Sequence, residues 1–132
     1  MSKIKNYING NIKCSSSKYF DIDDPSTGEI IGSVVLSNKD DLDLAINSAR
    51  NAQKNWSTIT PLKRSRILSN FRNIIEKNIE LLAKTVSKEH GKTIEDAKGS
   101  IIRGLEVVEF ACGIPHLLKG EFSQNVGTNI DS

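Results

Sequence analysis

Apolar positions come in short clusters over the first 36 residues and recur at helical spacing from residue 37 onward. Tyr7-Ile8 and Asn11-Ile12-Lys13 flank Asn9-Gly10, a dipeptide favoured in two-residue hairpin turns. Tyr19-Phe20-Asp21-Ile22-Asp23 partly alternates, and Ile30 to Leu36 is rich in β-branched residues. Between them, Asp24-Pro25-Ser26-Thr27-Gly28-Glu29 reads as a turn, because Pro25 presets φ and Gly28 can take φ > 0. Two hairpin-like pairs are therefore predicted.

Leu42, Ala45, Ile46, Ala49 and Ala52 then trace the buried face of a first helix, with Ser37 as its cap and Asp40 as a weaker capping-box partner. Thr60-Pro61 opens a second helix, since proline at its first position loses no hydrogen bond. Leu62, Leu68, Phe71 and Ile75 share one side, while Lys63, Arg64, Arg66 and Arg72 load the other. Asn78 marks a break or bend, after which Leu81, Leu82, Thr85 and Val86 continue the apolar face to Gly91, a C-cap candidate. Thr93 caps a third helix whose stripe is Ile94, Ala97, Ile101, Leu105, Val108 and Cys112. Gly99 and Gly104 each cost about 1 kcal/mol relative to Ala in that helix, and would permit another helix to approach closely. Ile114-Pro115 should end or kink it. The pattern predicts a mixed α/β fold: a β-hairpin segment over 1–36, about three major helices over 37–118, and an extended tail over 119–132.

Composition narrows the classes. The 132 residues fit one ordinary domain, and 37% hydrophobic with 5% aromatic content allows only a modest core. Eighteen Lys+Arg against 16 Asp+Glu leave a net charge of +2, which gives no electrostatic case for a nucleic-acid or membrane partner. No apolar run approaches the ~18 residues needed to cross a bilayer. The N-terminus has no apolar stretch behind its lysines and does not read as a secretory signal. Cys14 and Cys112 are read as reduced thiols in a cytoplasmic protein, where the acceptor-like Asn55-Trp56-Ser57 would go unused.

Candidate chemistry is sparse. Gly91-Lys92-Thr93 resembles the end of a phosphate-binding loop, but that motif needs a glycine where Val86 stands and a strand where the sequence is helical. Cys112 and His116 lie four residues apart, yet Pro115 interrupts the turn and no third residue orients the histidine. Cys112 is better read as a small core residue. Glu106 and Glu109 read as solvated helix charges, and the histidines and cysteines make no metal pattern. Arg103, between Ile102 and Gly104, is either a surface arginine or a clamp for a carboxylate.

Several motifs carry a family resemblance over nearly the whole chain. Tyr7-Ile8-Asn9-Gly10 resembles the opening strand and turn of the aldehyde dehydrogenase superfamily. Asp24-Pro25-Ser26-Thr27-Gly28-Glu29 is similar to its "N-P-x-T-G-E" turn, with Asp24 where Asn is usual. Ala52 to Trp56 followed by Pro61 to Leu68 resembles its "A…W…R…L" helical pair. Glu89 to Thr93 and the run from Arg103 to Ser123 are more specific, and resemble the methylmalonate-semialdehyde branch.

The resemblance implies the N-terminal portion of an NAD-dependent, CoA-acylating enzyme. Its reaction would convert methylmalonate or malonate semialdehyde to propionyl-CoA or acetyl-CoA, with CO2 lost. It implies that Arg103 grips the substrate carboxylate, that residues 37–118 are the helical part of the cofactor-binding domain, and that the complete enzyme is a homo-oligomer. The family's nucleophilic cysteine, its oxyanion asparagine and its NAD-binding loop lie beyond Ser132, and Cys112 does not match that nucleophile. The isolated chain is therefore expected to be inactive, to bind neither NAD nor CoA well, and to expose the apolar stripes that its sheet would cover. The alternative is a non-catalytic helical interaction module or a gene remnant.

Overall fold

The computed structural model describes residues 2–132. Five short strands, β1 (Ser2–Ile4), β2 (Asn6–Ile8), β3 (Asn11–Lys13), β4 (Tyr19–Asp23) and β5 (Ile30–Val35), precede all the helices. The helices are α1 (Lys39–Trp56), α2 (Pro61–Lys77), α3 (Ile79–His90), α4 (Ile94–Cys112) and the short α5 (Ile114–Leu117).

Both expected hairpins form. β2 and β3 pair antiparallel, with Tyr7 opposite Ile12, and Asn9 and Gly10 take φ of 52° and 73° in the turn. Two positive φ values are what a tight hairpin turn with the natural strand twist requires. β4 and β5 also pair antiparallel, with Phe20 opposite Val34. Their turn closes through the Asp24 N–H to the Glu29 carbonyl at 2.8 Å, while the Asp24 carboxylate accepts from the Ser26 N–H at 2.8 Å. One strand was not foreseen: β1 pairs parallel with β5, giving a mixed sheet in the order β1-β5-β4. Lys3 secures it by placing its ammonium 5.0 Å from the centre of the Tyr19 ring.

Helix starts follow local chemistry, with one correction. Thr60 and Thr93 cap α2 and α4 as expected, accepting from the Lys63 and Asp96 N–H groups. The cap of α1 is Asn38, not Ser37, and its capping-box partner is Asp41, not Asp40. The Asn38 side chain accepts from the Asp41 N–H at 3.0 Å, and the Asp41 carboxylate accepts from the Asn38 N–H at 3.1 Å. Ser37 is engaged instead by the Asn6 side-chain amide at 2.9 Å. The second expected helix breaks at Asn78, whose side chain donates to the Ile74 carbonyl at 2.7 Å, so four long helices form rather than three. Gly91 ends α3 at φ 74°, and Pro115 lies in the first turn of α5, where its missing N–H costs nothing.

Asp41 is 2% exposed, and its second oxygen accepts from the Ser15 N–H, tying the β3–β4 connection to α1. That bond, with the Asn38 N–H, holds the carboxyl below its ordinary value of 3.8 against the opposing effect of burial. A depressed carboxyl pKa stabilises the folded state above the unfolded value, and that contribution is lost as pH falls through the folded pKa. Asp41→Asn should therefore lower the urea midpoint at pH 7, with the difference from wild type shrinking as pH falls below 3.8. A difference independent of pH would show that the charge contributes nothing.

α2 and α3 both pack against α4. The Ser65 hydroxyl donates to the Cys112 carbonyl at 2.6 Å, and Arg72 reaches Glu109 at 2.6 Å and Glu76 at 3.2 Å. Lys98 joins α4 to α3 through Glu80 at 2.7 Å, and Glu80 first and Glu95 second push its pKa up. The apolar core among the described residues is small: Val35, Ala83, Ala97 and Leu105. The α1 stripe is not the buried face expected of it. Leu42, Ile46, Ala49 and Ala52 are exposed and only Ala45 is half-buried, because α1 packs mainly on β2. Nor does a helix approach at Gly104, beside which the space is open.

The accessible surface confirms how little is covered. The chain exposes 10094 Å². A compact monomer of its mass would expose about 6,900 Å².

Candidate functional site

The residues best placed for chemistry sit where α3 turns into α4. Gly91 reverses the chain at positive φ, and a Cβ there would lie 3.1 Å from the Pro25 Cβ and 3.3 Å from the Ser26 Oγ. The turn between β4 and β5 thus backs directly onto the helix junction, and only glycine satisfies both the φ and the space. The Ser87 hydroxyl donates to the Lys92 carbonyl at 2.7 Å, and Thr93 starts the next helix immediately. Lys92 is therefore held by a cap on each side and by a hydrogen bond on its own carbonyl.

Its ammonium turns towards α4 and donates to the Ser100 hydroxyl at 2.9 Å. The Arg103 guanidinium donates to the same oxygen at 3.2 Å, and that hydroxyl donates to the Asp96 carbonyl at 3.2 Å. A serine hydroxyl has one proton and two lone pairs, so the capacity of Ser100 is fully used. Ser100 and Arg103, three residues apart, lie on one face of α4. Ion pairs among the described residues use Arg72 and Lys98, which leaves Lys92 and Arg103 without a carboxylate partner. Arg103 is exposed and Lys92 half-buried. Chemically, two cations are joined through one neutral oxygen, and the guanidinium has donors beyond the one that Ser100 uses.

Other candidates come out as follows. Gly91-Lys92-Thr93 joins two helices and is no P-loop. Cys112 is half-buried at the end of α4, His116 is exposed on α5, and no hydrogen bond links their side chains. Glu106 is exposed as expected, whereas Glu109 is a structural tie to Arg72 and not simply a solvated charge. Both cysteines are free thiols. No cluster of three metal-ligating side chains occurs among the described residues, and no helix there is long and apolar enough to cross a membrane. A surface recess of about 280 Å³, lined by Asn6, Tyr7, Ile8, Asp41, Leu42 and Ala45, lies against α1, away from Arg103.

Sequence reasoning singled out Arg103 but missed Lys92 and Ser100. Lys92 enters the sequence reading through the phosphate-loop comparison and the Glu89 to Thr93 family motif, without a role of its own. The three-residue spacing from Ser100 to Arg103 was the available signal for the serine.

Comparison with known proteins fits this geometry into a larger frame. The aldehyde dehydrogenase family model matches residues 12–131. The malonate-semialdehyde dehydrogenase of Pseudomonas aeruginosa is 43% identical over 132 residues, covering 100% of this chain and 27% of its own length. Malonate-semialdehyde dehydrogenase 2 of Bacillus mycoides is 42% identical, with 98% and 27% covered. Among solved structures, the methylmalonate-semialdehyde dehydrogenase of Oceanimonas doudoroffii superposes with a TM-score of 0.92 at 38% identity, covering 99% of this chain and 27% of that one. A Sinorhizobium meliloti structure complexed with NAD gives a TM-score of 0.91 at 43% identity, with 98% and 26% covered. The chain thus spans about a quarter of the length of the relatives it matches. A family model matching nearly every residue, and a backbone that follows those of the solved relatives, show that this chain belongs to the aldehyde dehydrogenase family.

Proposed function

We propose that this chain forms the N-terminal part of an NAD-dependent, CoA-acylating dehydrogenase. The complete enzyme oxidises malonate or methylmalonate semialdehyde to acetyl-CoA or propionyl-CoA with loss of CO2, and Arg103 holds the substrate carboxylate. The observation that carries this reading is a guanidinium without a carboxylate partner, mounted on a helix tied to α2 and α3, in a chain 43% identical to a malonate-semialdehyde dehydrogenase. A guanidinium discriminates for a carboxylated aldehyde by two parallel charge-assisted hydrogen bonds, which an uncarboxylated aldehyde cannot make.

NAD and CoA are assigned to the complete enzyme. In the described segment β5 leads into α1 through Leu36, Ser37 and Asn38, without a glycine-rich turn. Residues 37–118 would pack as the helical part of the cofactor-binding domain, with the complete enzyme a cytoplasmic homo-oligomer. The interaction-module alternative draws no comparable support.

The test is a chimera in which residues 1–132 replace the corresponding segment of the Pseudomonas aeruginosa enzyme. It should form NADH from malonate semialdehyde with CoA present, at a kcat within about tenfold of the parent, a loss of at most ~1.4 kcal/mol. A folded chimera that oxidises propanal but not malonate semialdehyde would refute the substrate assignment.

A further inference from the structure

The Lys92 ammonium and the Arg103 guanidinium donate to one oxygen, at 2.9 and 3.2 Å. Two like charges held this close repel each other, and water screens the half-buried Lys92 incompletely. No carboxylate among the described residues forms an ion pair with either of them. Glu80 and Glu95 pair with Lys98, and Asp96 accepts from the Thr93 hydroxyl at 2.9 Å. The arrangement is nevertheless strongly built, with Gly91 seated against Pro25 and Ser26 and the Lys92 carbonyl held by Ser87. A cation pair without an ion-pair partner, on a constrained frame, is preorganised for an anion, because the anion removes the repulsion and the frame costs little to order.

We infer that Lys92 is a second specificity-determining residue of the site, forming with Arg103 a two-cation clamp for the carboxylate of a 3-oxo acid, with Ser100 as the neutral hinge between them. This inference rests on the reading of Arg103 as the carboxylate-binding residue and adds a partner to it. Arg103 supplies directional, bidentate hydrogen bonds. Lys92 supplies a point charge and, through Ser100, keeps the guanidinium from swinging along the helix. Ser100 accepts from both cations, so when an anion draws either donor away it still holds the other.

The experiment uses the full-length chimera and compares malonate semialdehyde with propanal. Lys92→Met should raise KM for malonate semialdehyde about tenfold, with kcat and the propanal parameters within about twofold of the parent. Lys92→Arg, which keeps the charge, should restore KM to within about threefold, and Ser100→Ala should give a smaller selective rise. If Lys92→Met affects both substrates alike, or neither, while Arg103→Lys stays selective for the carboxylated one, the clamp is wrong and the Arg103 reading survives. If Arg103→Lys is itself unselective, the carboxylate reading fails and the clamp with it. Should Lys92→Met not fold, Ser100→Ala decides the matter, and the lack of any selective rise in KM would overturn the inference.

Discussion

In the full-length chimera, Arg103→Lys should lower kcat/KM for malonate semialdehyde by about tenfold to a hundredfold, while the value for propanal stays within about twofold of the parent. The magnitude follows from the chemistry of the contact. Hydrogen bonds to charged groups contribute about 1.5 to 3 kcal/mol each, and lysine keeps the charge but loses the planar fork. The effect should fall mainly on KM, since a carboxylate grip is made in the ground state as well as the transition state. Arg103→Ala should be more severe for the carboxylated substrate and equally mild for propanal. Steady-state kinetics with both aldehydes check this directly, and an equal loss on both would remove Arg103 from substrate recognition. The outcome does not depend on a fold defect, because Arg103 is exposed and makes no ion pair.

The purified 132-residue chain should form no NADH above background from malonate semialdehyde, NAD and CoA, and should bind an apolar dye and self-associate as concentration rises. Among the described residues no histidine or carboxylate is hydrogen-bonded to either of its two thiols. Among the described residues the Cys14 thiol meets the Tyr19 hydroxyl at 3.8 Å, and no side-chain hydrogen bond reaches the Cys112 thiol. The association follows from surface. Tyr7 is 75% exposed, Phe122 71%, Phe110 69% and Val107 68%. These residues accompany the uncovered α1 stripe and a total surface roughly half as large again as a compact monomer would show. Sedimentation velocity and dye fluorescence read the association, and a coupled absorbance assay reads the activity. Turnover by the pure chain, or a monodisperse monomer without dye binding, would contradict the expectation.

Much of the local architecture was legible in the sequence because its causes are local. The Asn9-Gly10 turn, the Thr60 and Thr93 caps, the Asn78 break and the Gly91 terminus all depend on a side chain or a φ angle acting within about four residues. The Ser37 assignment failed for the same reason. Ser37 and Asn38 are both good caps when only neighbours count, and the choice was made by Asn6 engaging Ser37 and by the Ser15 N–H meeting Asp41. Of the apolar stripes only that of α4 is covered along its length. Leu62, Phe71 and Leu81 on α2 and α3 are exposed, and Arg64 and Arg72, expected on the outer side, are half-buried, because periodicity does not say what covers a face. α4 receives α2 and α3, whereas the stripe of α1 stays open.

By itself, then, the sequence determined the hairpins, the helix order and most helix ends, and its motifs pointed to the family and to Arg103. The tertiary structure alone decided that β1 joins β5 in parallel, that Asp41 is the buried anchor of α1, and that Lys92 and Arg103 meet at Ser100. The physical reason is separation along the chain. The β1–β5 pairing, the Ser15–Asp41 bond and the Lys92–Ser100 bond each join separate segments of the chain, held in place by the closed sheet and by Gly91 packed on Pro25 and Ser26. Periodicity and capping rules act over one helical turn, so they cannot carry that information.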